Sequence, residues 1–373
     1  MGASIRTSPH IRRRWLLGLL LPLFLNSGCT SIGPGTLPRD RVDYVNAIGT
    51  SWERETLLNI VKLRYGHAPV FLSITQVVTG YQFQGTASAA LAASSFNPVT
   101  NTFGFSGAAS AEGQYTDRPT IIYTPLTGVD FLQKLMTPIP PSALLFLLQA
   151  GYPADIIMPL ALDAINGINN ASRRQMRHAA DLRFNRVVQL LRDLQASEAV
   201  QVRIEQTKNS SAISLITFPP TNADPQASAE STEVRTLLNL RPGMEKFAVY
   251  YGGYSGKDDE ISMMTRSMMQ VMLELATVVR VPESEESERR VTPGLIEGET
   301  NPNTTPSAMN IFSGSNPPTD SSVAVQYDGR WFWIADNDIQ SKSVFGAVML
   351  LFSISDIGTK EMGPLVTIPA SAG

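Results

Sequence analysis

The sequence predicts an α+β fold: an N-terminal helix plus a long amphipathic β-hairpin, followed by a mixed domain of short helices and small antiparallel sheets. Three observations lead there. Residues 77–117 alternate apolar and polar with a period of two, the spacing of a strand with unlike faces. Residues 180–196 carry Phe184, Val187, Leu191 and Leu194 on one helical stripe and lead into two short strand-like runs. Near the C-terminus, Asp328-Gly329 joins two further apolar runs, a strong two-residue hairpin signal.

The chain begins with an address. Arg12, Arg13 and Arg14 lead into the apolar run Trp15 to Leu25, which closes on Asn26-Ser27-Gly28-Cys29. A basic head, a short apolar run and small residues make a secretory signal peptide, because the run is well under the ~20 residues that span a bilayer as a helix. Cys29 is the sole cysteine, so it cannot join an internal disulfide. The arrangement resembles a bacterial lipoprotein signal, with Ser27-Gly28-Cys29 at the end of the lipobox. Asn26 departs from the usual leucine of that motif, and Leu25 lies one place early. The resemblance implies removal of residues 1–28 and lipidation at Cys29, with palmitate-like chains anchoring the protein in membrane lipid. Thr30, which is not aspartate, then implies the periplasmic side of the bacterial outer membrane.

Charge excludes one class of function. The chain holds 30 basic and 33 acidic residues, and the signal removes four arginines and no acids, leaving 26 minus 33, or −7. Nucleic-acid binding rests on neutralising phosphates, so no nucleic-acid partner is expected.

Residues 29–40, rich in Gly, Pro and Thr, read as a tether, and 41–128 as the helix and long β-hairpin. The helix runs from Ser51 to Tyr65, between the Thr50/Glu53 capping box and the Gly66 stop. Residues 129–373 read as an α+β periplasmic domain. In 129–170, Pro138, Pro140, Pro141, Pro153 and Pro159 divide an apolar stretch into short helices. Helix 180–196 and strands at 200–205 and 212–218 follow. A short helix near 233–240, a strand at 247–251 and a helix over 259–280 come next, the last carrying Ile261, Met264, Met268, Met272, Leu275 and Val279. Residues 219–232, 282–307 and 313–321 are polar and read as disordered loops. The hairpin 323–334 and an apolar helix over 338–353 close the fold.

The long hairpin is the candidate functional element. Tyr81, Phe83, Ala87, Ala89, Leu91 and Ala93 occupy odd positions of one arm, and Phe103, Phe105, Ala109, Ala111 and Tyr115 odd positions of the other. Gln82, Gln84, Thr86 and Ser88 occupy even positions of the first arm, and Thr102, Ser106, Ser110, Glu112, Gln114 and Thr116 even positions of the second. Pairing about Pro98 would set Tyr81 against Tyr115, Leu91 against Phe105 and Ala93 against Phe103. Aromatics then flank small apolar residues on one face, the pattern of a membrane-facing strand. Two strands cannot close a barrel, so membrane entry requires several protomers. The same ribbon could instead pack on its own domain or serve as a soluble oligomerisation arm.

Chemistry is sparse, and no cofactor or metal is called for. His67 and His178 lack the spacing of a metal pair. Gly252 to Lys257 lacks the first glycine and the closing hydroxyl of a phosphate loop. Asp336 and Asp338 could bind a cation or act as acid and base, but they stand at a strand-to-helix junction, where Asp336 or Asn337 is a natural N-cap. Trp331 and Trp333 share a strand face suited to packing or to stacking on glycan.

The segment Asp328 to Ile334, then Ser341-Lys342-Ser343, the ending Gly363 to Pro369 and the Trp52–Gly66 helix resemble a family of proteobacterial outer-membrane lipoproteins. That resemblance carries an address and no activity. The expected protein is thus a non-enzymatic, oligomerising envelope component whose hairpin contributes to a composite membrane pore or export channel. The alternative is a periplasm-facing adaptor that supports an envelope complex without forming a pore. Its partners are membrane lipid, through Cys29, and copies of itself or an envelope protein complex.

Overall fold

A computed structural model describes residues 32–78, 81–93, 105–117, 120–170, 181–206, 212–220, 224–294 and 309–355. The chain divides into two compact units, one of residues 1–49 and 76–121, the other of residues 50–75 and 122–373.

Helix α1 spans Ile32–Arg64. It therefore takes in residues that composition assigned to a tether. Extending an existing helix needs no new nucleus, so Gly, Pro and Thr are carried along despite weak propensity. Its end follows the expected stop: Gly66 has φ +72°, and the Gly66 and His67 amides donate to the carbonyls of Leu63 and Lys62. In the larger unit, Leu57, Ile60 and Val61 are buried. The Asn59 amide clamps Val70 through both its backbone groups, at 2.7 and 2.9 Å.

Four strands then follow: β1 (Phe71–Val78), β2 (Tyr81–Ala93), β3 (Phe105–Asp117) and β4 (Thr120–Leu126). β1 pairs with β4 and β2 with β3, each as a separate two-stranded sheet.

In the larger unit the prolines divide the apolar stretch as expected, giving α2 (Val129–Met136), α3 (Pro141–Gln149) and α4 (Ala154–Ala161). The short strands β5 (Leu162–Ile165) and β6 (Ile168–Asn169) come after them. Helix α5 (Leu182–Ala196) is capped by Asp181 and buries the expected stripe, Phe184, Val187, Leu191 and Leu194. β7 (Gln201–Gln206) and β8 (Ala212–Thr217) complete the foreseen helix–strand–strand order.

Four local readings change. Residues 225–237, within and beyond the expected loop 219–232, form α6 (Pro225–Leu237). Asp224 accepts from the Gln226 and Ala227 amides, and Pro225 occupies the first helical position. The expected helix 259–280 is instead strand β10 (Glu260–Thr265) followed by helix α7 (Met268–Ala276). Its true start is the capping box Ser267/Gln270, and Met264 lies on the strand, outside the helical stripe. The loop 282–307 contains a short helix, α8 (Glu283–Ser287), and 313–321 holds the end of β11 (Phe312–Gly314) and the start of β12 (Ser321–Tyr327).

With β9 (Lys246–Tyr251), these strands build a six-stranded sheet in the order β6-β5-β10-β9-β8-β7. It is larger than expected and not wholly antiparallel, since β9 and β10 run parallel. Arg266, 3% exposed, ties β5 to the start of α7 by donating to Asp163 at 2.7 Å and to the carbonyls of Pro159 and Leu160. A three-stranded sheet, β11-β13-β12, includes the foreseen hairpin of β12 (Ser321–Tyr327) and β13 (Arg330–Ala335). Asp328 and Gly329 both have positive φ, +47° and +77°, as a type I′ turn requires. Helix α9 (Ile339–Ser355) ends the described chain.

Candidate functional site

The β2–β3 ladder joins residue to residue over thirteen pairs with no bulge. Its register differs from the expected one by two positions. Tyr81 pairs with Asp117, Phe83 with Tyr115, Ala87 with Ala111, Ala89 with Ala109, Leu91 with Gly107 and Ala93 with Phe105. The strands end at Ala93 and restart at Phe105, so the connection centres one residue beyond Pro98. A slip of one residue would have exchanged the faces, whereas a slip of two leaves odd positions opposite odd positions. Phe103 lies outside the described residues, as does Cys29.

On the even register the side chains of Ser88, Ser110, Glu112 and Gln114 are exposed, and the Ser88 and Ser110 hydroxyls meet at 2.6 Å. Thirteen residues at ~3.3 Å each give a strand of about 43 Å. Tilted by ~45°, that length rises about 30 Å, the thickness of a bilayer's hydrocarbon core.

β4 adds a feature that alternation did not reveal. Ile121, Ile122 and Tyr123 are 37, 44 and 52% exposed. Consecutive strand residues point to opposite faces, so apolar groups meet solvent on both sides. A two-stranded ribbon is marginal in water by itself, and these exposed apolar side chains make it a candidate association surface. The unbroken apolar triplet was the available signal.

A polar clasp, also missed from sequence, holds the end of α1 within the larger unit. The Arg64 guanidinium is buried, donates to the Val279 carbonyl at 3.3 Å and pairs with Glu286. Burial pulls its pKa down, and the Glu286 charge and hydrogen bond oppose that pull. Its Nη1 has no hydrogen-bond partner among the described residues. The neighbouring Tyr65 hydroxyl donates to Glu285 at 2.6 Å, and burial with that bond raises its pKa. The Thr292 amide and hydroxyl both donate to the Arg64 carbonyl. His67 Nδ1 hydrogen-bonds the Tyr327 hydroxyl. His178 lies outside the described residues.

The aspartate pair is divided between two tasks. Asp338, rather than Asp336 or Asn337, caps α9: its carboxylate accepts from the Ser341 amide at 3.0 Å and the Ser341 hydroxyl at 2.6 Å. These bonds hold its carboxyl below the ordinary range. Asp336 pairs instead with Lys342 at 3.0 Å. Trp333 stacks on Phe312 with ring centres 6.0 Å apart. Lys257 of the glycine-rich loop pairs with Glu260 at 3.2 Å. Among the described residues no group of three or more His, Cys, Asp or Glu could hold a metal ion, and no helix is long and apolar enough to cross a membrane. No protein-family model, curated protein or solved structure matches the chain.

Proposed function

We propose that the protein is a non-enzymatic outer-membrane lipoprotein, anchored through Cys29, whose copies associate through the β2–β3 hairpin into a composite membrane β-structure. The observation that carries this reading is the isolated, bulge-free ladder of two thirteen-residue strands. Among the described residues no strand lies beside either outer edge of this sheet, and such open edges recruit further strands. In lipid those groups must be paired, so the hairpin enters a bilayer only as part of a closed ring of hairpins. The hydroxyls and amides among the even positions suit the wet interior of such a ring; Tyr81, Phe83 and Tyr115, together at one end of the ladder, suit one headgroup zone and Phe105, at the other end, the second.

The exposed Ile121, Ile122 and Tyr123 favour a second reading, an adaptor whose ribbon docks on protein within an envelope complex. Electron microscopy of native protein extracted from membranes separates the two. The pore reading expects rings of identical subunits; single particles without rings would leave the adaptor.

A further inference from the structure

A groove of about 370 Å3 opens in the larger unit among the second half of α1, the start of β1, the end of β4, α2 and the end of α9. Phe71 is its buried floor, with the Phe131 and Phe352 rings tilted against it at 5.5 and 5.6 Å between centres. The accessible wall is chiefly apolar. Trp52 and Leu72 are 38 and 43% exposed, and Leu126, Phe131 and Phe352 are half-buried. The size lies at the low end of ligand sites, room for a few side chains rather than for a large cofactor.

Of the two charged lining residues, Glu55 accepts from the Leu72 amide at 3.1 Å, and Lys134 also has a partner within the protein. Contact in the groove is therefore mainly apolar, which makes it a candidate docking surface. Ser353 and Ser355, the remaining polar lining, belong to the last turn of α9. The chain beyond Ser355 thus starts at the groove itself.

We propose that the protein's own residues 363–369, Gly-Pro-Leu-Val-Thr-Ile-Pro, dock in this groove as an extended segment. Residues 356–373 lie outside the described residues, and their composition suits the groove. Asp356, Lys360 and Glu361 fall within the first six of them, and no charge follows. Pro364 and Pro369 hold the residues before them out of the helical region. Val366, Thr367 and Ile368 are β-branched, so the stretch between the prolines favours an extended chain. Val366 and Ile368 then share one face, matched in chemistry to Leu72 and Phe131. The connection from 356 to 362 spans at most ~25 Å, which keeps the segment beside the groove. So short a tether raises the effective concentration to the order of millimolar. Modest apolar contact then suffices, and a second copy or a free peptide is at a disadvantage.

The test is photo-crosslinking of the full-length protein, extracted from membranes in detergent, with Ile368→p-benzoylphenylalanine as the probe. The expected product runs on a denaturing gel as one chain, with the crosslink on peptides that carry Leu72, Leu126, Phe131 or Phe352. Leu72→Glu, at an exposed position, and Leu365→Asp, within the segment, should each lower the yield about tenfold or more, as expected when one leucine loses its apolar burial. Leu365→Asp leaves every described residue unchanged, so it decides the matter even where Leu72→Glu melts early. Crosslinks only between two chains assign the groove to a second copy and overturn the proposal. Crosslinks to none of the named peptides, or yields that ignore both substitutions, overturn it as well. Ring formation does not enter the readout, so this site and the hairpin reading stand or fall separately.

Discussion

Arg64 and Glu286, separated by 222 residues, form an ion pair whose guanidinium is 1% exposed and whose carboxylate is 43% exposed. The asymmetry decides which deletion hurts. Glu286→Ala leaves a buried cation without its counter-charge, at a cost of roughly 2–3 kcal/mol, less than for a fully buried pair because water already screens the carboxylate. Arg64→Met removes the buried charge together with its desolvation penalty and should cost less. The double variant should resemble Arg64→Met alone. Urea denaturation of the four proteins checks the cycle, and equal costs for the two single variants would contradict it.

From sequence, the acidic run Glu283 to Glu288 reads as a solvated loop, which makes deletion of 282–307 nearly harmless. The structure reverses that expectation, since Glu285, Glu286 and Thr292 hold Tyr65 and Arg64. Removing residues 283–292 should lower Tm by roughly 5–10 °C, as expected for the loss of a few kcal/mol in a domain of this size. An unchanged scanning-calorimetry transition would return the segment to the solvent.

Asp338 gives a pH-dependent prediction. Its carboxyl is lowered by the Ser341 hydroxyl first and the Ser341 amide second. A depressed folded-state value contributes stability that is present above the unfolded value of ~3.9 and lost as pH falls through the folded value. Stability should therefore decline below about pH 4 with a component that Asp338→Ala abolishes. At neutral pH the same substitution removes a helix cap and should cost about 1 kcal/mol. Chemical denaturation at pH 7 and pH 3.5 measures both effects.

What sequence made legible follows from the range of the interactions. The Gly66 stop, the α5 stripe and the Asp328-Gly329 turn are encoded within a few neighbouring residues, and all three stand where expected. β10 was missed because Ile261, Met264 and Met268 also fit a helical repeat; the deciding signal, Ser267 with Gln270, lay later in the segment. α6 was missed because a polar composition outweighed the Asp224-Pro225 start. The clasp was invisible for a different reason. Its partners, Arg64 and Glu286, meet only when the tertiary fold joins distant segments, and no local pattern encodes that. The hairpin lies between these cases: its odd–odd pairing was legible, but its register depended on the turn.

The proposed lipid anchor rests on Cys29, and Cys29→Ser tests it. The variant should lose incorporation of labelled palmitate and either keep its signal peptide or leave the membrane fraction. Normal processing with unchanged sedimentation would refute lipid anchoring. For the native protein, separation of the two membranes on a sucrose gradient should place it in the outer-membrane band, as Thr30 implies.

The hairpin supplies the sharpest test, because its two registers predict unequal tolerance to one substitution. Ala87 lies opposite Ala111 and Ala89 opposite Ala109, near the middle of the ladder. On a lipid-facing strand, arginine near the bilayer midplane costs ~2–4 kcal/mol, whereas positions facing water tolerate it. Ala87→Arg and Ala109→Arg should therefore block insertion or assembly. Thr86→Arg and Ser110→Arg, on the even register, should be milder. An adaptor ribbon docked on protein has no hydrocarbon midplane, so depth along the strand should not govern the outcome. The measurement is the ring fraction of membrane-extracted protein, sized by light scattering for all four variants. Equal tolerance on both registers would exclude the pore and leave the ribbon as a protein-docking arm.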